Sequence, residues 1–166
     1  AQETSAAWKV ALERKDGPTA LILTRQGLPL VSPTDDSLAR GAYILAETRN
    51  DALDVVLLAS GSEVQLALAA RQRLEEQDIH ARVISMPSWE LFDAQPDDYR
   101  AALLPPGVPR VAIEAGATFA WSRYLGAKGA VIGLDRYGVS GPYKVLFEQL
   151  GFTVENVVKQ VHALLG

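Results

Sequence analysis

Short, continuous apolar runs that break into polar or glycine-bearing turns recur along the chain. Leu21-Ile22-Leu23 leads into Thr24-Arg25-Gln26, and Val55-Val56-Leu57-Leu58-Ala59 into Ser60-Gly61-Ser62-Glu63. Val83-Ile84-Ser85-Met86 leads into Pro87-Ser88-Trp89-Glu90, and Val111-Ala112-Ile113 into Glu114-Ala115-Gly116. Runs of this length between helical patterns read as buried parallel strands of an α/β sheet. Ligands and partner surfaces of such sheets lie beyond the carboxyl ends of the strands, so these four turns are the first places to look for function.

At the start of the chain, Thr4 or Ser5 is suited to cap a helix whose Trp8, Ala11 and Leu12 share one face. Gly17-Pro18 is expected to end it, with a strand over 19–24. Residues 27–37 carry Gly27, Pro29, Pro33 and a cluster of polar turn formers, which predicts a linker. The pattern then restarts, with strands expected at 42–46, 55–59, 81–86, 110–114 and 130–134. A helix over 63–77 should bury Val64, Ala67, Leu68 and Leu74 and leave Arg71, Arg73, Glu75 and Glu76 mostly solvated. Two helices close the chain: one over 142–150, opened by Pro142 and stopped by Gly151, and one capped by Thr153 with Val154, Val157, Val158, Val161 and Leu165 on its apolar side.

The expected organisation is therefore a segment over 1–26, a linker over 27–40 and a main domain over 41–166. The main domain should be three-layer α/β/α, with a mixed, mainly parallel five-stranded sheet, because parallel neighbours need crossover helices. The short 47–53 connection makes the first two strands antiparallel or non-adjacent. One helix and one strand cannot cover both faces of an apolar strand, so residues 1–26 read as the last helix-strand piece of another domain. The alternative is an extra strand on the edge of the main sheet.

Composition narrows the function classes. The 166 residues are 48% hydrophobic and 22% charged, which is ordinary for a globular protein and argues against disorder. A net charge of −4 disfavours nonspecific binding to nucleic acid or anionic membrane. The absence of cysteine removes disulfides, thiolate nucleophiles and cysteine-ligated metals from consideration. No apolar run approaches the ~20 residues of a membrane span. The opening Ala1-Gln2-Glu3-Thr4-Ser5 has no basic region followed by an apolar stretch, so no signal peptide is expected and a cytoplasmic location is the default.

Several runs together resemble the transketolase family. Ala7-Trp8-Lys9-Val10-Ala11-Leu12-Glu13-Arg14 and Gly17-Pro18-Thr19-Ala20-Leu21-Ile22-Leu23-Thr24-Arg25-Gln26 resemble the end of its pyrimidine-binding domain. Ala59-Ser60-Gly61-Ser62-Glu63-Val64, Ser85-Met86-Pro87-Ser88-Trp89-Glu90-Leu91-Phe92, Glu114-Ala115-Gly116 and Gly151-Phe152-Thr153-Val154-Glu155-Asn156-Val157 resemble its C-terminal domain. Deoxyxylulose-phosphate synthase and the β-subunits of 2-oxoacid dehydrogenases share the fold, but the Pro-Ser-Trp-Glu-Leu-Phe and Gly-Phe-Thr-x-Glu-Asn runs look particular to transketolases.

The resemblance implies an enzyme that moves two-carbon ketol units between sugar phosphates in the pentose phosphate pathway, with thiamine diphosphate and Mg²⁺. It also implies a homodimer with active sites between subunits. The family's Gly-Asp-Gly metal and diphosphate motif does not occur in this chain, and no P-loop, Gly-x-Gly-x-x-Gly or His-Glu-x-x-His stands in for it. The chain is thus expected to bind no cofactor or metal, to hold no catalytic residue and to be inactive alone. One functional residue carries over, Arg25, whose counterpart in the family contacts the substrate phosphate. Guanidinium is permanently charged and matches phosphate oxygens with a planar fork. Judged by spacing alone, the structural readings come first: a solvated side chain at a strand end or one paired with a carboxylate. Gln26 is suited to holding the turn.

The other turns have structural readings beside functional ones. Ser60 or Ser62 is expected to cap the helix after Gly61, with Glu63 in its first turn, and that terminus is also a place for an anion. Glu114 reads as a hydrogen-bonded structural carboxylate. Trp89, Phe92, Trp121 and Tyr124 read as core or interdomain packing, His80 and His162 as isolated surface residues, and Ser140-Gly141-Pro142 as a turn into a helix. A second function class stays open: a non-catalytic module that binds a small ligand or partner around 60–63 and 114–116.

Overall fold

The computed structural model describes residues 2–31, 36–49 and 52–166. Five strands form one sheet: β1 (Tyr43–Ala46), β2 (Val55–Ala59), β3 (Ala81–Ser85), β4 (Arg110–Ile113) and β5 (Gly129–Ile132). Their order is β1-β3-β2-β4-β5, with β1 antiparallel to β3 and all other neighbours parallel. The first two strands are therefore non-adjacent, one of the two arrangements the short connection allows. Residues 50–51 of that connection lie outside the described residues.

Side chains alternate across each strand, and the sheet uses both faces. Val55, Leu57 and Ala59 point to one side, where they meet Val64, Ala67, Ala70 and Leu74 of α2 (Val64–Glu75). Val157 and Val161 of α7 (Val154–Leu165) close the same layer. Val56 and Leu58 point the other way, toward Phe92, Leu103, Trp121 and Tyr124. These come from α3 (Trp89–Asp93), α4 (Asp97–Leu103), a 3₁₀ turn at Phe119–Trp121 and α5 (Ser122–Leu125). The result is the expected α/β/α sandwich. In its second layer, Trp121 meets Trp89 edge to face at 5.1 Å and Tyr124 meets Phe92 at 5.9 Å, so all four aromatics serve packing.

Local signals explain most boundaries. Thr153 accepts a hydrogen bond from Asn156 N at 3.2 Å and starts α7, while Pro142 precedes α6 (Tyr143–Gln149). Gly41 ends the 3₁₀ turn Asp36–Arg40 at φ +82°, and a Cβ there would sit 2.2 Å from Phe92 N. Only glycine fits so close to the backbone of α3. Leu38 of that turn is buried and Val31 packs on the core, so the expected 27–40 linker touches the domain at these two residues. Its middle, 32–35, is outside the described residues.

Three expectations are corrected. Residues 19–24 form no strand: a strand needs a hydrogen-bonded neighbour, and Ile22 is 95% exposed. Neither Thr4 nor Ser5 caps the first helix, since α1 (Gln2–Glu13) begins before both, and its Trp8 and Leu12 are exposed. Arg71 is not a solvated residue. Its guanidinium donates to Ala81 O at 3.0 Å and to Glu47 O at 2.6 Å, tying α2 to the sheet edge.

Candidate functional site

The sheet's topology selects one place. After β2 the chain turns to α2 on one face, and after β4 it turns to α5 on the other. The carboxyl ends of β2 and β4 thus flank the point where the winding reverses, the usual ligand crevice of an open α/β sheet. Ser60 follows β2 and Glu114 follows β4. The Ser60 hydroxyl donates to Glu114 Oε2 at 2.7 Å, which closes the crevice with a bond between its own walls.

One turn further on, Glu63 is only 3% exposed. Its Oε1 accepts from the Ser62 hydroxyl and its Oε2 from Ala115 N at 3.2 Å. Neither serine caps the helix by its side chain, contrary to expectation, because each hydroxyl is drawn to a carboxylate instead. Burial raises the Glu63 carboxyl above its usual range, opposed by the Ser62 and Ala115 donors. Glu114 is raised as well, mainly by burial and further by the Glu63 charge, with the Ser60 bond opposing both. A second negative group is disfavoured beside two carboxyls, so this helix start is a poor anion site despite its dipole. Glu63 as a buried group escaped the sequence reading. A place in a helix's first turn carries no burial signal, and the return of 114–116 brings Ala115 N onto it.

The Arg25 turn reaches the same edge. Gln26 N donates to Thr24 Oγ1 at 3.2 Å, which closes the turn. Gln26 Nε2 donates to Ser62 Oγ at 3.3 Å. Arg25 is exposed between them, and no hydrogen bond or ion pair ties it to another described residue. Its reading as the partner of a carboxylate therefore has no contact to support it. His162 is bonded to Gln77 Oε1 at 2.7 Å, and His80 is fixed through its backbone N to Asp54 Oδ2 at 2.8 Å. Among the described residues no group of three His, Cys, Asp or Glu is placed to hold a metal ion, and no helix is long and apolar enough to cross a membrane.

A doubly wound α/β domain with one antiparallel edge strand, preceded by a helix and an extended arm, is the class these features define. The chain belongs to the transketolase family: the model of the transketolase-like C-terminal domain matches residues 41–153. It is 48% identical over its whole length to a transketolase of Geobacillus stearothermophilus, of which it spans 26%. A solved transketolase from Leishmania mexicana superposes with a TM-score of 0.91 at 43% identity, over 99% of this chain and 24% of that one. A Pichia stipitis transketolase in complex with sedoheptulose-7-phosphate gives 0.90 at 38% identity, over the same shares. The chain thus spans about a quarter of the length of the relatives it matches.

Proposed function

We propose that the chain is the C-terminal part of a transketolase that moves two-carbon ketol units between sugar phosphates in the pentose phosphate pathway, as a cytoplasmic homodimer using thiamine diphosphate and Mg²⁺. Similarity over the full chain supports this reading, because it includes residues 1–40, ahead of the matched domain model. In it, residues 1–26 end the pyrimidine-binding domain, 27–40 link, and 41–166 form the C-terminal domain. The residues present do not fit the cofactor: there is no Gly-Asp-Gly run, and the described acidic and histidine residues do not converge on a metal position. The cofactor is assigned to residues outside these 166, and this chain alone should not turn over.

Arg25 is the residue of this chain proposed to touch substrate. It stands exposed on a closed turn with a guanidinium that no other described residue engages, able to meet a phosphate from solvent. The test is Arg25→Ala in the full-length holoenzyme. A charge-assisted contact of roughly 1.5–3 kcal/mol predicts a loss of about 10- to 100-fold in kcat/KM for phosphorylated substrates. Arg25→Lys should recover part of it, and an unphosphorylated substrate should be almost unaffected. Equal losses on both substrates would make Arg25 structural. The ligand-module alternative is weakened because Ser60 bonds to Glu114 and Ser62 to Glu63.

A further inference from the structure

Resting on the phosphate role of Arg25, we infer that Ser62 and Glu63 are positioning residues, a relay that aims the Arg25 turn from within the C-terminal domain. The relay has three bonds that converge on the Glu63 carboxylate. Ala115 N donates to Glu63 Oε2 at 3.2 Å, the Ser62 hydroxyl donates to Glu63 Oε1, and Gln26 Nε2 donates to Ser62 Oγ at 3.3 Å. Glu63 can only accept when ionised, so it claims the single proton of Ser62 and turns that oxygen's lone pairs toward Gln26. Gln26 is thereby fixed with its nitrogen on Ser62, and the backbone that carries Arg25 is one residue away.

Two further features fit an anchoring role better than a stabilising one. Glu63 is a buried carboxylate with no cation beside it among the described residues, an arrangement that costs stability rather than adding it. The 19–30 segment has no strand or helix to hold it, and the one side-chain bond from this turn to the main domain is Gln26 to Ser62 among the described residues. An exposed guanidinium gains specificity only if its backbone is fixed, since ordering a long side chain on a loose arm offsets the contact. The relay supplies that fixed point from a rigid place, the crevice between β2 and β4.

The experiment uses the full-length holoenzyme, with phosphorylated and unphosphorylated aldose acceptors compared. Ser62→Ala should raise KM for the phosphorylated acceptor by about five- to tenfold, the range of one lost hydrogen bond, and leave kcat near its original value. Values for the unphosphorylated acceptor should not move. Ser62→Thr keeps the hydroxyl and should restore the original KM. Gln26→Met, which preserves length but cannot donate, should reproduce Ser62→Ala and covers the case in which position 62 disturbs folding. In an Arg25→Ala background, Ser62→Ala should add nothing. If Arg25→Ala itself is silent, the phosphate reading fails. If Arg25→Ala is impaired while Ser62→Ala and Gln26→Met are silent, or strike both acceptors equally, the relay is overturned and the phosphate reading stands.

Discussion

Ser60 and Glu114 join the carboxyl ends of β2 and β4 through a 2.7 Å hydrogen bond. Where an open α/β sheet ordinarily leaves a crevice, this one is sealed by its own side chains, and a second carboxyl, Glu63, lies behind the seal. The edge is thus converted from a ligand site into a support.

That support has a pH signature. Burial raises both Glu63 and Glu114 above the 4.5 of a free glutamate. A carboxyl whose pKa is higher folded than unfolded binds more protons in the native state, so stability falls as pH rises from about 4.5 through the raised value and is level above it. Glu114→Gln keeps an acceptor for Ser60 while removing the charge that Glu63 feels. Its melting temperature should match the parent near pH 4.5 and exceed it near pH 8. Parallel profiles for the two proteins would show that Glu114 is not raised in the folded state.

Glycine positions separate close approach from backbone freedom. Gly41 and Gly61 both have positive φ, +82° and +51°, but a Cβ on Gly41 would strike Phe92 N and Ser88 O, whereas none of the neighbours of Gly61 is within 4 Å. Gly61→Ala should cost about 1 kcal/mol for the left-handed backbone alone. Gly41→Ala adds overpacking and should cost about 3 kcal/mol or more, a drop of about 6–12 °C in Tm. Equal costs, measured by thermal unfolding, would refute the contact with α3.

How much of this was legible follows from what each signal measures. The five strands were readable because continuous runs such as 55–59 have no other stable home than a two-sided sheet. Helices α3 and α4 were not read, since five and seven residues are too few for a helical period to emerge. The phosphate role of Arg25 rests on resemblance, since its spacing alone left it undecided. Ser62 was misread as a cap because capping is a local rule, while its partner Gln26 is 36 residues away. Residues 19–24 have the composition of a strand, yet pairing is a property of the neighbour and not of the run.

The aromatic cluster gives a stability test. Trp121 is fully buried, and its Nε1 has no hydrogen-bond partner among the described residues. Trp121→Ala should cost about 3–5 kcal/mol from lost burial and cavity formation. Trp121→Phe also removes an unpaired buried donor, so part of the lost packing is offset and the cost should be well under half of that. Denaturant unfolding of both variants decides it. Near-equal costs would mean that Nε1 has a partner, such as a buried water.

The exposed apolar arm makes the last prediction. Trp8, Leu12, Ile22, Leu23 and Leu30 are all exposed, with Ile22 at 95% and Leu30 at 74%. Between Pro18 and Leu30 the backbone has neither helix nor strand. An extended apolar segment with free N–H and C=O groups is a template for pairing with another chain. This polypeptide, purified alone, should therefore associate with itself, giving a dimer or larger species by light scattering at micromolar concentration. Ile22→Lys combined with Leu23→Lys places charge on that edge and should return it to monomer without lowering Tm, because neither side chain is part of the core. If the parent is already monomeric and is cut by protease at 21–23, the arm has no affinity for its own copy. Its apolar residues would then answer only to the surface of another domain.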